Sequence, residues 1–417
     1  MYTRISDDFL TKWISFLVFL FSMSVLSLAD HGGYSSIALM LTMFYVSVFK
    51  YNKHSLLPLN KEEKTFIALI LFFWVWQLFG VVYQPVGYEY ETIREKLRAF
   101  DNPSRWILLL PVFFLLRRYV ISWKLMAFGI AFGVIVATVA AHYQVYFLGF
   151  VRAEGVSGNP ITFGELMVAA DLILWMLMIH AWNNKNKILS FFLLFSSLVA
   201  FYGSLLSITR GAWLAYIFMI LIWVVYAVKK SVFNRRHTLS KPILLRILLA
   251  LIVFFFVSQT HQYKIIESRS VNTYNNVVNG QYHKLGGERL EIYVNAIQSI
   301  KQYPLGIGTN NFREIEQKGV HRGHAHNDIL NTWAELGIQG LISLILLISW
   351  VAFFFWKNLK HTNNLISVYS SCGLMLIVSY LVFGLTQAVF NHHQYLLFFI
   401  FYLYFFFAQI QAIRSQM

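Results

Sequence analysis

Apolar runs of about twenty residues recur along almost the whole chain, and that recurrence leaves few folds open. The hydrocarbon of a bilayer is about 30 Å thick and takes about 20 helical residues to cross. Inside it every backbone polar group needs an internal partner, so only helices and closed barrels span it. Barrel strands would alternate polar and apolar residues, and these runs do not. The chain therefore reads as all-α, a polytopic membrane protein with about twelve transmembrane helices. Their expected extents are 13–29, 33–49, 65–83, 105–120, 123–148, 161–181, 187–208, 211–228, 243–259, 338–356, 366–389 and 394–412. Charged residues make up only 13% of the chain, against about 25% in soluble domains.

Three regions follow. Residues 1–259 hold helices one to nine, 260–337 a long loop with helical segments, and 338–417 helices ten to twelve. Ser27-Leu28-Ala29 resembles a signal-peptide cleavage site. With eleven further spans behind it, the first run reads as an uncleaved anchor. The single cysteine, Cys372, excludes an intrachain disulfide and a cysteine-based metal site.

The net charge of +15 is a membrane signature here rather than a nucleic-acid one, because no soluble basic domain exists to carry nucleic acid. Twenty Lys and Arg fall on segments sharing a side with the N-terminus, and six on the short connections opposite. Eight more lie in the long loop, which is long enough to escape the positive-inside rule. Both termini are expected in the cytoplasm and the long loop outside. The segment between Tyr83 and Arg105 mixes both charges and reads as a short interfacial helix with a structural role.

Polar residues in such a chain are few, so each one asks for a reason. Asp171 falls near the middle of the sixth span, where a carboxylate must face protein and have a partner. It is read as a bond to another helix or as a substrate or proton group; Glu165 on the same span is left unassigned. Arg152, in a glycine-rich turn, either contacts an anionic ligand or anchors the turn at the headgroups. Arg210 is the only charged residue between Lys187 and Lys229, and Arg210-Gly211 suits the outer turn between two spans. It either snorkels to the headgroups or grips a phosphate with a two-pronged bond.

Within the long loop, residues 271–283 are rich in Asn and Tyr and read as irregular. From Gly287 the pattern turns helical, with Leu290, Tyr293, Val294, Ile297 and Ile300 as an apolar stripe. Arg289 stands at the start of that helix, either paired with Glu288 or free for a ligand. The loop closes on Arg322-Gly-His-Ala-His-Asn-Asp-Ile-Leu-Asn331. His321, His324 and His326 admit three readings: metal ligands, a plain polar loop, or a general base. Asn327 and Asp328 suit the start of a helix and would fix His326 at its entrance. Gly337 and Gly340 then bend the chain into the tenth span.

Three stretches resemble the O-antigen ligase family, which shares a core with O-antigen polymerases. They are Ser207-Ile-Thr-Arg-Gly-Ala-Trp-Leu214, Arg289 through Pro304-Leu-Gly-Ile-Gly308, and His326-Asn-Asp-Ile-Leu330. The order of the motifs, the twelve spans and the long outer loop between spans nine and ten match as well. The resemblance implies a GT-C-like enzyme of the bacterial inner membrane with a periplasmic active site. It would move glycan from undecaprenyl diphosphate to a hydroxyl of lipid A–core, an inverting and metal-independent transfer with no cofactor. It further implies that Arg210 and Arg289 bind the diphosphate and that His326 is the base. Arg152, Arg322, His324, Asn327 and Asp328 are possible supporting residues. An O-antigen polymerase is the near alternative, and a lipid-linked glycan flippase the alternative of a different class.

Overall fold

The computed structural model describes residues 6–28, 32–50, 58–86, 93–233, 241–279, 289–312, 315 and 323–417. All regular structure among them is helical: α1 (Asp7–Ser27), α2 (Gly32–Tyr45, running on into a π turn), α3 (Lys61–Val82), α4 (Ile93–Leu108), α5 (Leu110–Leu116), α6 (Trp123–Tyr146), α7 (Pro160–Asn183), α8 (Lys187–Ser207), α9 (Arg210–Phe233), α10 (Lys241–Ser258), α11 (His261–Val278), α12 (Arg289–Gln302), α13 (Asp328–Asn358), α14 (Asn364–Phe383) and α15 (His393–Arg414). Eight of these helices, α1, α3, α6, α7, α8, α13, α14 and α15, are long and apolar enough to cross a membrane. Shorter apolar stretches occur at Tyr34–Val48, Arg210–Leu221 and Ile243–Ser258. The chain is a polytopic helical membrane protein; twelve spans were expected, and eight helices among the described residues are long and apolar enough to be spans.

The bundle is built around α15. Its sequence is apolar on every side, and a helix of that kind must be buried all round. From Gln394 to Ile413 every residue of α15 is buried. Its rings interleave with those of the neighbours, as where Phe401 stacks on Phe21 of α1 at 3.6 Å between centroids. The buried glutamines of α15 complete the hydrogen bonding of other elements. Gln394 donates to the Val25 carbonyl at 2.7 Å. Gln409 donates to the carbonyls of Leu116 and Tyr119 at 2.7 and 2.9 Å and accepts from the Ile121 amide at 2.7 Å.

The segment that Gln409 ends shows the first departure from expectation. The span expected at 105–120 is two helices, broken at Leu109. Pro111 follows the break; it has no N–H to give the Ile107 carbonyl, so a continuous helix would lose that bond. The short α5 then ends on carbonyls that Gln409 satisfies from 290 residues away. Together α4 and α5 still run from one end of the bundle to the other. Asn102 of α4 donates to the Asn391 carbonyl at 2.9 Å, while Arg117 after α5 holds Glu63 of α3 with bonds of 2.6 and 2.9 Å. The expected helix between Tyr83 and Arg105 is present as the body of α4.

The Arg117 end also gathers both ends of the described chain. Tyr119 donates to Asp7 at 3.2 Å and Arg414 pairs with Glu62 at 2.6 Å. The opposite end carries the 303–312 segment, docked through a bond of 2.7 Å from the Thr309 amide to the Gly80 carbonyl. There α13 bends at Gly337, whose φ of +70° is the left-handed conformation expected of a glycine.

One expectation for the 260–337 region is corrected. Residues 271–278, read as irregular, continue α11. No glycine or proline stands between Pro242 and Gly280, so nothing in the local sequence stops a helix there. The helix expected after Gly287 exists as α12, but its buried face is Ile292, Ala296 and Ser299, with Leu290, Val294 and Ile297 exposed. Tyr293 and Ile300 lie at the margin and pack against the small cluster around Ile292.

Asp171 has the partner its position demands. Arg246 of α10 donates to it at 2.5 Å, and Tyr216 of α9 at 2.6 Å, with Ser197 of α8 a third donor. The Arg246 guanidinium also lies 4.6 Å from the centre of the Trp175 ring. Arg246 was counted with the cytoplasmic charges; it is instead 4% exposed and ties α7 to α10 inside the bundle. That leaves nineteen Lys and Arg on the N-terminal side, and the bias stands. Removing one partner of a buried pair leaves an uncompensated charge, at about 3–5 kcal/mol, whereas replacing both by apolar residues is close to neutral. Asp171→Leu or Arg246→Met alone should therefore lower the unfolding midpoint in detergent, and the double variant should recover it. Single variants as stable as wild type would reject the pair as a helix tie.

Candidate functional site

The site forms where three chain segments meet at the end of the bundle away from the termini. The first is the turn between α8 and α9. Ile208 takes a left-handed φ of +53°, which reverses the chain between Ser207 and Arg210. Arg152 braces this turn from outside, donating to the Ser207 carbonyl at 2.9 Å and to the Thr209 hydroxyl at 3.3 Å. The Thr209 hydroxyl donates in turn to the Pro160 carbonyl at 2.9 Å. Gly164 of α7 lies against Ser207 and Thr209 so closely that a Cβ would meet the Ser207 hydroxyl. Arg210, exposed, is thus the first residue of α9 on a turn clamped from two sides.

The second segment is the entrance to α13. Asn327 is the N-cap, and its side chain accepts from the Leu330 amide at 3.0 Å. The Ala325 amide donates to the buried Asn331 side chain at 2.9 Å. Between them His326 has φ +48°, again left-handed. Its amide donates to Nδ1 of His324 at 3.3 Å, and the two rings meet edge to face at 4.3 Å. From α12, the Tyr293 hydroxyl donates to the His326 carbonyl at 3.4 Å. Arg289 lies one turn before Tyr293 on the same helix, half-buried.

The third segment, residues 384–392, joins α14 to α15. The Asp328 amide donates to the Gly384 carbonyl at 2.8 Å, and the Asn327 side chain to the Leu385 carbonyl at 3.3 Å. Asp328 is buried, with one carboxyl oxygen accepting from the Phe390 amide at 3.4 Å. Gly211 of α9 packs on Thr386; a Cβ there would lie 2.6 Å from the threonine hydroxyl. The next residue, Gln387, is 2% exposed and accepts from Nδ1 of His326 at 2.7 Å. Its amide nitrogen faces Nε2 of His392 at 3.1 Å. Burial holds His392 neutral, with a pKa pushed down to about 4, and the neighbouring His326 adds to the shift.

The turn carrying Arg210 thus touches the same short connection that holds His326. Arg289 stands on α12, which meets the assembly through the bond from Tyr293 to the His326 carbonyl. Glu165 is fully buried on α7, and neither of its oxygens has a hydrogen-bond partner among the described residues. The Tyr395 hydroxyl faces it without closing to hydrogen-bond distance. Arg322, His321 and Glu288 lie outside the described residues, so their expected parts have no structural counterpart. Among the described residues, no group of three His, Cys, Asp or Glu side chains is arranged to hold a metal ion.

Arg152 is bonded to the turn before Arg210, a partner that neither expected role included. Gln387, His392 and Glu165 were not singled out for roles at this site. The available signal was a short polar break, Thr386-Gln-Ala-Val-Phe-Asn-His-His-Gln394, between two strongly apolar runs.

Comparison with known proteins agrees with the motifs. Residues 195–345 match the family model described as O-antigen ligase, a stretch that includes the α8–α9 turn, α12 and the entrance of α13. An uncharacterized protein of Haemophilus influenzae is similar along nearly its whole length, 24% identical over 403 residues, covering 94% of this chain and 96% of the relative.

Charge-assisted hydrogen bonds contribute about 1.5–3 kcal/mol each. Arg152→Ala should therefore loosen the turn locally: amide hydrogen exchange at Thr209 and Arg210 should speed up while α13 keeps its protection. Unchanged exchange at those two amides would remove the brace.

Proposed function

We propose that this chain, which carries the O-antigen ligase family pattern over residues 195–345, is an O-antigen ligase of the bacterial inner membrane. It transfers glycan from undecaprenyl diphosphate to a hydroxyl of lipid A–core at the periplasmic face, with both termini in the cytoplasm. The observation that carries the reading is the shared connection: His326 bonds Gln387, and the helix that begins at Arg210 packs on the preceding Thr386. A base held at Gln387 and an arginine-bearing helix start resting on the adjacent Thr386 suit a reaction in which a proton is removed and a phosphate leaves at one centre.

The chemistry follows from the side chains. With Nδ1 donating to Gln387, neutral His326 carries its lone pair on Nε2. Nε2 takes the proton of the acceptor hydroxyl as that oxygen attacks the anomeric carbon. The bond from the anomeric carbon to the diphosphate breaks on the opposite side, so the configuration inverts. Negative charge grows on the departing diphosphate, and Arg210 and Arg289 stabilise it as fixed cations. Asn327 and Asp328 hold the base by fixing the start of α13 to the 384–390 segment. His324 supports the His326 backbone.

Loss of one such charge stabiliser typically costs about 10²–10³ in rate. His326→Ala should abolish transfer with the protein still folded in the membrane. Arg210→Lys should fall by about that factor, because an ammonium cannot make the two-pronged contact. The measurement is the product formed by purified protein in liposomes with lipid-linked glycan and lipid A–core. Normal transfer by His326→Ala rejects the base. Glycan found on another glycan repeat, and not on lipid A–core, makes the enzyme a polymerase. Lipid-linked glycan that crosses the bilayer with no new bond rejects transferase altogether.

A further inference from the structure

We propose that Gln387 and His392 are positioning residues for His326: His392 orients the Gln387 side-chain amide, and the amide fixes which imidazole nitrogen carries the proton. The inference rests on the reading of His326 as base. An amide bridging two imidazoles can lie either way round. With its oxygen toward His326, Nδ1–H is favoured and Nε2 is left as the lone pair. Turned over, the amide N–H would face Nδ1, demand the lone pair there and put the proton on Nε2, where the base is needed. The oxygen faces Nδ1 of His326 at 2.7 Å, and the nitrogen faces Nε2 of His392 at 3.1 Å. That arrangement needs an acceptor at His392 Nε2, so His392 must be neutral. Its burial keeps it so, with the pKa lowered to about 4. Gln387 itself is 2% exposed, so water does not compete for the bridge.

The groups around the two rings come from every neighbouring element. His324 lies on the same segment as His326, 4.3 Å between ring centres, and 5.2 Å from the His392 ring. Tyr293 reaches His326 from α12, with Arg289 one turn before it. Tyr395 stands 5.7 Å from His392 on α15. Asp328, two residues after His326, accepts from the Phe390 amide at 3.4 Å, and the buried Glu165 stands on α7.

Because the bridge acts through proton placement, a carboxylate at 387 makes a distinctive test. Gln387→Glu keeps an oxygen for Nδ1–H and adds negative charge, which stabilises the imidazolium. The folded-state pKa of His326 rises, activity needs neutral His326, and so the acid limb of the pH–rate profile moves to higher pH. Gln387→Met removes the acceptor and should lower kcat by about tenfold to a hundredfold, part of the about 10²–10⁴ that a general base supplies, with KM for the lipid donor unchanged. His392→Phe should lower kcat in the wild-type background. It should cost little alongside Gln387→Glu, because a carboxylate has no N–H to misplace. All variants are measured in the same liposome assay, with a monodisperse elution profile as the check on folding. An unmoved acid limb in Gln387→Glu, together with wild-type kcat in Gln387→Met, overturns the proposal. Equal cost of His392→Phe in both backgrounds overturns the role of His392. An active His326→Ala protein instead overturns the base on which the inference rests.

Discussion

Backbone polar groups inside this bundle have to be answered within the same chain, since hydrocarbon offers no hydrogen bonds. The central helix α15 is where that demand is met. It is buried on every side, yet it carries glutamines whose amides complete the broken end of α5 and the last turn of α1. Those bonds hold the last turn of α5 at the end of the bundle where Arg117 meets Glu63. The same rule joins α7 to α10 through Asp171 and Arg246. Packing supplies the mass of the fold, and a few buried polar bonds set which helix lies against which.

The site inherits its rigidity from this arrangement. The short 384–392 connection begins where α14 ends and finishes where α15 begins, so its ends are set by two of the best-buried helices. The entrance of α13 is fastened to it by backbone bonds, and the α8–α9 turn rests on it through Gly211. Side chains on three stretches far apart in sequence are thereby referred to one small piece of backbone. Preorganisation of this kind is what charge stabilisation requires, because dipoles already in place need no reorganisation during reaction.

Much of this was legible in the sequence where the cause was local. Asn327 was readable as a cap because capping needs only the residue and the helix that follows. Arg210-Gly211 was readable as a turn because the apolar run around it was too long for one span. Asp171 announced that it needed a partner, but not which one; Arg246 stood among basic residues whose simplest reading was a cytoplasmic cluster. The buried face of α12 was not legible, because an apolar stripe identifies the greasy side of a helix, not the side its neighbours cover. Gln387 and His392 were beyond reach, since no spacing rule connects residue 326 with a glutamine 61 positions later.

The left-handed backbone at His326 has a consequence of its own. A non-glycine residue held at positive φ carries a conformational cost on the order of 1–3 kcal/mol, and asparagine or glycine would fill the position with less strain. Backbone preference and side-chain chemistry therefore select different residues at one place. With His326 in its proposed role as base, random replacement should find more robust but inert proteins there, so selection for folding alone would drift away from imidazole.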